Sequence, residues 1–304
     1  MAGYHPAAGN QGWVRLMRSF CGTRGLPAFV LSALLLTAAT ASAAPAGSRP
    51  VKPATRPDVR SSAALVVDAN DSSVLFAQRD DAAVPIASIT KLMTALVVLE
   101  GRQALDEVVT ITNADRDATG RSPSRLGVGT RLSRGNLLHL ALMSSENRAA
   151  QALGRAYPGG LAAFVRAMNA RAKALGMSRS QFADPTGLSS RNVATARDLV
   201  KLVKAASADP VIRKYSTDER HTIVAGRQQV EFRNTNLLVA RPDWDIALQK
   251  TGYTLAAGQC LVMNTVIEGR SVVIVLLNSF GKYTRVADAR RIRKWLEAAR
   301  NSVT

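Results

Sequence analysis

The chain has 304 residues, 47% of them hydrophobic and 20% charged, with a formal charge of +18. That length suits one large domain or two modest ones, and the balance excludes a disordered or fibrous chain. The excess of Lys and Arg could serve nucleic acid, but basic residues are not interleaved with aromatic ones, so nucleic acid is not an expected partner.

The chain opens on Arg15, Arg18 and Arg24 with no acidic residue, then LPAFVLSALLLTAATA, then Ala41-Ser42-Ala43. A basic region, an apolar run and small residues at cleavage spacing predict a signal peptide over 1–43, hence a periplasmic protein. The apolar stretch falls short of the ~20 residues that a membrane span needs. Met17 is an alternative start. An exported basic chain is expected to meet anionic wall polymer or the membrane surface peripherally. Cys21 leaves with the signal, so Cys260, in CLVMNTVI, has no internal partner and reads as a buried strand cysteine.

Residues 44–61, rich in Pro and basic residues, read as a flexible basic linker, with one domain over 62–300. Residues 63–79 hold two apolar runs around Asp-Ala-Asn-Asp, a hairpin. A strongly apolar helix follows, to about Glu100 before Gly101. Two helices are expected around NLLHLALM and RAAQALGRA, broken at 144–147. Further helices run over 161–175, closed by Gly176, and 195–206, with Thr195 as N-cap. The end of the chain alternates: Ile246–Thr251, Gln259–Ile267 and Ser271–Asn278 read as an antiparallel meander, followed by the helix RVADARRIRKWLEAAR. Strands at both ends with helices between imply one antiparallel sheet built from both ends of the chain, flanked by helices, with a helical subdomain: an α/β (α+β) fold.

Three polar motifs interrupt this pattern. Ser88 and Lys91, in PIASITKLMTAL, head the apolar helix. Residues three apart share a helix face, so hydroxyl and amine project together. A hydroxyl needs a base, and an amine serves if burial depresses its pKa. The first turn also offers free N–H groups to developing negative charge. Alone, S-x-x-K is most simply a capping Ser beside a snorkelling Lys. A second copy, Ser279-Phe280-Gly281-Lys282, follows a strand and reads as a loop. Ser145-Glu146-Asn147 lies between helices, and S-x-N recurs at 190–192, where a turn suffices. Lys250-Thr251-Gly252 ends a strand. There Lys can hold a carboxylate, Thr can donate to it, and Gly admits a close backbone approach. The trio in this order is far more specific than any member.

With these motifs the chain resembles the low-molecular-mass penicillin-binding proteins, the D-alanyl-D-alanine peptidases of serine peptidase family S11. The resemblance runs from about Ala63 to Leu296, through PIASITKLMTALVVL, LALMSSENRAA, FADPTGLSSRNVATARDL, FRNTNLL and QKTGYTLAAGQCLV. SSENRAA and LQKTGYT resemble the endopeptidase branch. It implies a β-lactamase/transpeptidase-like fold and a penicillin-binding DD-peptidase domain acting on peptidoglycan peptide stems, with β-lactams as covalent inhibitors. It implies that Ser88 attacks the D-Ala carbonyl, Lys91 takes its proton, and Ser145 relays a proton to the leaving amine near Lys250. Asn147 would bond the substrate amide, and Lys250 and Thr251 the carboxylate beyond the scissile bond. The N–H groups of Ser88 and Tyr253 would form the oxyanion hole. Asp184, Thr186 and Gly187 match a family segment and read as structural.

Rival chemistries fit less well. A zinc hydrolase needs about three ligands at recognisable spacing. After the signal only His139 and His221 remain, both more simply structural, and there is no H-E-x-x-H. No metal or other cofactor is expected. A Ser-His-Asp hydrolase would want G-x-S-x-G, which is absent. A class A β-lactamase would add an E-x-x-L-N loop, also absent, so inhibition by penicillin is expected rather than its turnover. Membrane-anchored carboxypeptidases of the family usually carry a β-rich second domain. About fifty residues follow Lys250 here, which favours an endopeptidase cutting D-Ala–diaminopimelate cross-links. A carboxypeptidase, or a non-catalytic wall-binding module, are the alternatives.

Overall fold

β1 (Ser61–Asp68) shows how the sheet is covered: its alternation sends Ala63, Leu65 and Val67 into one apolar cluster and Ala64 and Val66 into another. A strand buried on both faces needs a layer on each side. The computed structural model describes residues 56–117, 123–226 and 228–301. The expected signal peptide, 1–43, and linker residues 44–55 lie outside them. The last linker residues pack onto the fold: Val59 is buried and Ser61 opens β1.

β1 pairs with β2 (Val74–Gln78); β3 (Val84–Pro85) then leads into a 3-10 turn (Ala87–Ile89) continuous with α1 (Thr90–Glu100). β4 (Val108–Thr110) and β5 (Arg131–Ser133) pair ahead of α2 (Arg134–Met143), α3 (Asn147–Arg155) and α4 (Gly160–Ala174). Next come β6 (Val193–Ala194), which pairs with β3, then α5 (Ala196–Ala208), α6 (Pro210–Thr217) and the hairpin β7 (Arg220–Ala225) and β8 (Gln228–Arg233). β9 (Asp245–Thr254), β10 (Gly258–Ile267) and β11 (Arg270–Ser279) form the meander, and α7 (Thr284–Asn301) follows.

The main sheet is antiparallel, in the order β2-β1-β11-β10-β9. The first strand therefore sits beside the last, as expected. α1 and α5 cover one face, against Leu65, Val262, Val273 and Val275. α7 covers the other, where Ala289 and Ile292 meet Leu261, Ile274 and Leu276, and Trp295 meets Phe76 edge-on at 6.4 Å. The buried Asp288 of α7 accepts from Ser61 N at 2.7 Å and Ser61 Oγ at 2.6 Å, which pins the start of β1. α2, α3, α4 and α6 form the helical subdomain. β9 is an edge strand, and its free edge faces the junction of sheet and subdomain.

The expected boundaries for α1, α4, α5 and α7 agree within two residues. α6 and the β7–β8 hairpin were not expected. Asp209 caps α6, accepting from Val211 N and Ile212 N ahead of Pro210.

Candidate active site

The 3-10 turn at the head of α1 places Ser88 between two glycines. Ala87, just before it, has φ +47, a left-handed conformation that costs roughly 1–2 kcal/mol without glycine. A Cβ on Gly187 (φ +85) would stand 2.0 Å from the Ala87 carbonyl oxygen. One on Gly252 would stand 3.1 Å from Ser88 N and 2.9 Å from Ile86 O. Gly252, expected to admit substrate, thus also admits the turn that carries Ser88. It brings Ser88 N–H beside β9 where Tyr253 follows.

Lys91 lies one turn on, fully buried. Its Nζ is 2.8 Å from Ser88 Oγ, 2.6 Å from Asn147 Oδ1 and 2.6 Å from the Thr186 carbonyl. The last two are pure acceptors and require two N–H donors. As an ammonium Lys91 donates to all three; in the neutral form, with two donors and one lone pair, the lone pair is left to the Ser88 hydroxyl. Burial lowers its pKa from 10.5 to about 7, against the opposing pull of Asp184 and then Glu146. Asn147 is brought in as the first residue of α3, whose N-cap Glu146 accepts from Arg148 N. The Glu146 carboxyl is raised by burial, although Ser124 Oγ donates to it at 2.5 Å.

Lys250 is equally buried, on β9, and donates to Thr251 O at 2.9 Å. Burial, then Lys91, then Arg285 press its pKa well below the ordinary value. Thr251 Oγ1 meets Thr235 Oγ1 at 2.6 Å, and Thr235 N donates to Met143 O, linking β9 to the end of α2. Arg285, from the first turn of α7, donates to Gly252 O at 2.7 Å and Cys260 O at 3.2 Å. Among the described residues, Lys91, Lys250 and Arg285 have no carboxylate within ion-pair distance. Two buried amines and a guanidinium around one strand end, each disfavouring charge on its neighbours, leave a place that an anion would suit.

Ser145 follows α2 at φ +61, another left-handed non-glycine residue. Its hydroxyl makes no hydrogen bond to Ser88, Lys91 or Lys250. Tyr253 is 56% exposed. The structure therefore joins Ser88, Lys91 and Asn147 by direct bonds, sets Gly252 against Ser88, and puts Lys250, Thr251 and Tyr253 on the adjoining strand.

Three contributors escaped the sequence reading. The Thr186 carbonyl is backbone and carries no sequence signal of its own. It is fixed by Asp184, whose carboxylate accepts from Thr186 N, Gly187 N, Ser189 N and Asn192 Nδ2. Burial alone would raise the Asp184 carboxyl, but those bonds prevail and hold it below the ordinary range. The segment read as structural is thus the floor under Lys91. Arg285 was hidden in a helix read as closing the domain, and Thr235 in FRNTNLL. Of the repeated motifs, Ser279 is buried against Ser61 Oγ at 2.6 Å with a loop after it. Asn192 holds the Asp184 turn. Cys260 is free and buried on β10, and burial pushes its thiol up to about 11.

A hydroxyl in contact with a buried amine at the head of a helix, beside a strand end flanked by Lys250 and Arg285, is the layout of a serine acyl-transfer enzyme. The comparisons carry this further. The profile of peptidase family S11, D-alanyl-D-alanine carboxypeptidase, matches residues 50–281. A D-alanyl-D-alanine endopeptidase of Escherichia coli is 46% identical over 88% of this chain and 87% of its own length. One of Pseudomonas aeruginosa is 47% identical over 88% and 86%. The crystal structure of a Streptomyces DD-transpeptidase superposes with a TM-score of 0.75 at 27% identity, over 81% of this chain and all of that one. The chain belongs to peptidase family S11, the serine DD-peptidases that include the D-alanyl-D-alanine carboxypeptidases.

Proposed function

We propose that the chain is an exported, periplasmic DD-endopeptidase of peptidoglycan, cutting the D-Ala–diaminopimelate bond of stem-peptide cross-links. Lys91 draws the proton from Ser88 as its oxygen attacks the D-Ala carbonyl. The Ser88 and Tyr253 N–H groups receive the oxyanion, each worth about 3 kcal/mol in such sites. The proton passes through Ser145 to the departing amine, leaving D-Ala esterified to Ser88. Water, deprotonated by Lys91, then hydrolyses the ester and restores the hydroxyl. Asn147 orients the substrate amide. Lys250 and Thr251 hold the carboxylate beside the departing nitrogen.

The observation that carries this reading is the buried Lys91–Ser88 contact beside Lys250 and Arg285, which have no carboxylate partner among the described residues. The endopeptidase choice is supported by relatives of that name aligned over most of their length. The carboxypeptidase alternative uses the same chemistry with free D-Ala departing, and is favoured by the family's own description. A β-lactam carries the same carboxylate and strained amide, so it should acylate Ser88 and persist there. The basic surface suits peripheral contact with anionic wall or membrane.

Purified protein lacking residues 1–43 should be labelled by a fluorescent penicillin, with labelling lost in Ser88→Ala. Supplied with cross-linked muropeptide dimers and monomeric pentapeptides, it should cleave the dimers preferentially. Faster release of terminal D-Ala would establish the carboxypeptidase; no labelling of folded protein would leave a non-catalytic module.

A further inference from the structure

Among the described residues the two most exposed large apolar side chains are Phe280, at 94%, and Leu255, at 86%. Sequence places them far apart, but the sheet register does not. Tyr253 pairs with Gln259, and Gln259 with Ser279. The β9–β10 turn and the loop after β11 therefore leave the sheet at the same end, one strand apart. They pack closely there, since a Cβ on Gly258 would stand 3.2 Å from Asn278 Cα. Tyr283, 60% exposed, follows Phe280 in the same loop, with Lys282 Nζ 5.4 Å from its ring centre. Adjacent exposed apolar side chains of this size mark contact surfaces far more often than scattered ones do.

The patch continues the catalytic edge. If Lys250 and Thr251 take the substrate carboxylate and Tyr253 N–H the carbonyl, the acyl-donor stem runs antiparallel to β9. Its amino end then points toward Leu255. Extended peptides add to exposed sheet edges in this manner. Four stem residues at ~3.3 Å each carry the chain about 13 Å from the carbonyl, past the end of β9, where the stem joins its sugar. Glycan runs across its stems. The strand of sugars would therefore cross the end of the sheet from Leu255 toward Phe280, about 10 Å for one intervening strand, close to the length of a disaccharide.

We propose that Leu255, Phe280 and Tyr283 form a glycan platform that docks the disaccharide of the acyl-donor strand. Aromatic and aliphatic faces suit the apolar C–H faces of pyranose rings, and Lys282 suits the free carboxylates of the stem. The platform makes the enzyme prefer stems still attached to glycan over free peptides. It rests on the proposed function for the direction of the stem. Neither Leu255 nor Phe280 belongs to the catalytic machinery, and both are exposed, so their replacement leaves the core untouched.

The test uses cross-linked fragments that keep their disaccharides and the same fragments trimmed by an amidase. On a Ser88→Ala background, sugar-bearing fragments should bind roughly tenfold more tightly than trimmed ones, a difference of about 1.4 kcal/mol. Adding Leu255→Ser and Phe280→Ser should bring the two affinities together. With Ser88 intact, the same double variant should keep its rate of penicillin acylation. Equal binding of the two fragments by the parent, or a preference that survives the double variant, overturns the platform. Loss of anionic-vesicle binding or of self-association in the double variant, with the sugar preference intact, assigns the patch to lipid or to a second copy and also overturns it. Failure of the proposed function is read separately, as absent penicillin labelling of the chain with Ser88 intact.

Discussion

Raising the pH through neutrality should switch on acylation of Ser88, and the burial of Lys91 sets where. At pH 7 an ordinary lysine is neutral in roughly one molecule in three thousand. One whose pKa is lowered to about 7 by burial is neutral in about half. Burial thus raises the amount of neutral amine, the base of the proposed function, by about three orders of magnitude. Stopped-flow acylation by a fluorescent penicillin should rise nearly tenfold per pH unit below 7 and level off above it. Glu146→Gln removes a charge that favours the ammonium, so the rising limb should move to lower pH.

The same titration must appear in stability. Between about 7 and 10.5 the unfolded chain holds a proton on Lys91 that the folded chain has lost. The unfolded state binds more protons there, so stability rises with pH across that window. Below it both states are protonated and the folded state bears the full burial penalty, about 5 kcal/mol for a displacement of this size. Lys91→Met removes the penalty but leaves Asn147 Oδ1 and Thr186 O without their donor, at about 1–3 kcal/mol each. The variant should therefore be close to the parent in stability at pH 6 and clearly less stable at pH 10, by urea denaturation. A flat acylation profile from pH 6 to 9, or a limb near 10, would refute the assignment of Lys91 as the base.

Lys91→Arg keeps a cation that cannot give up its proton, so penicillin labelling should vanish while the protein stays folded. Gly187→Ala puts a methyl against the Ala87 carbonyl and strains a φ of +85; it should slow acylation sharply and lower stability by about 3 kcal/mol or more, read by labelling and thermal melting. Asp288→Ala leaves Ser61 N and Ser61 Oγ without their acceptor and should cost about 3 kcal/mol in denaturation, with acylation of the folded fraction unchanged. The chain has no E-x-x-L-N segment, so the acyl adduct should persist for hours in intact-mass measurements; rapid return of free protein would contradict this.

What the sequence made legible follows the range of each signal. Period and punctuation are local, so α1, α4, α5 and the final meander were readable from apolar spacing, Thr195 and Gly176. The motif trio was readable because it is made of side chains. The left-handed Ala87 and Ser145 were not, since neither residue type announces that conformation. Nor was the Thr186 carbonyl, because a backbone acceptor has the same composition everywhere. Arg285 sits in a helix with many other arginines, and pairing across the sheet alone distinguishes it. α6 is only eight residues long and the β7–β8 hairpin is largely exposed, and α6 is held by a contact far away in sequence: Gln249 Nε2 donates to Ser216 O at 2.7 Å.

These hidden features belong together energetically. Two left-handed residues at about 1–2 kcal/mol each, and two buried amines, are individually unfavourable and would relax if the surroundings allowed. The Asp184 turn prevents it below Lys91, where five donors converge on one carboxylate. Gly187 and Gly252 prevent it around Ser88 by leaving no room to move. The end of β9 has no such brace, since Lys250 has no carboxylate partner among the described residues. An anion arriving there would restore the proton affinity that burial takes from Lys250; under the proposed function that anion is the substrate's carboxylate. Calorimetric binding to the Ser88→Ala protein should accordingly take up protons, increasingly so as the pH is raised. Heats that do not vary with the ionisation enthalpy of the buffer would show that Lys250 is already charged before substrate arrives.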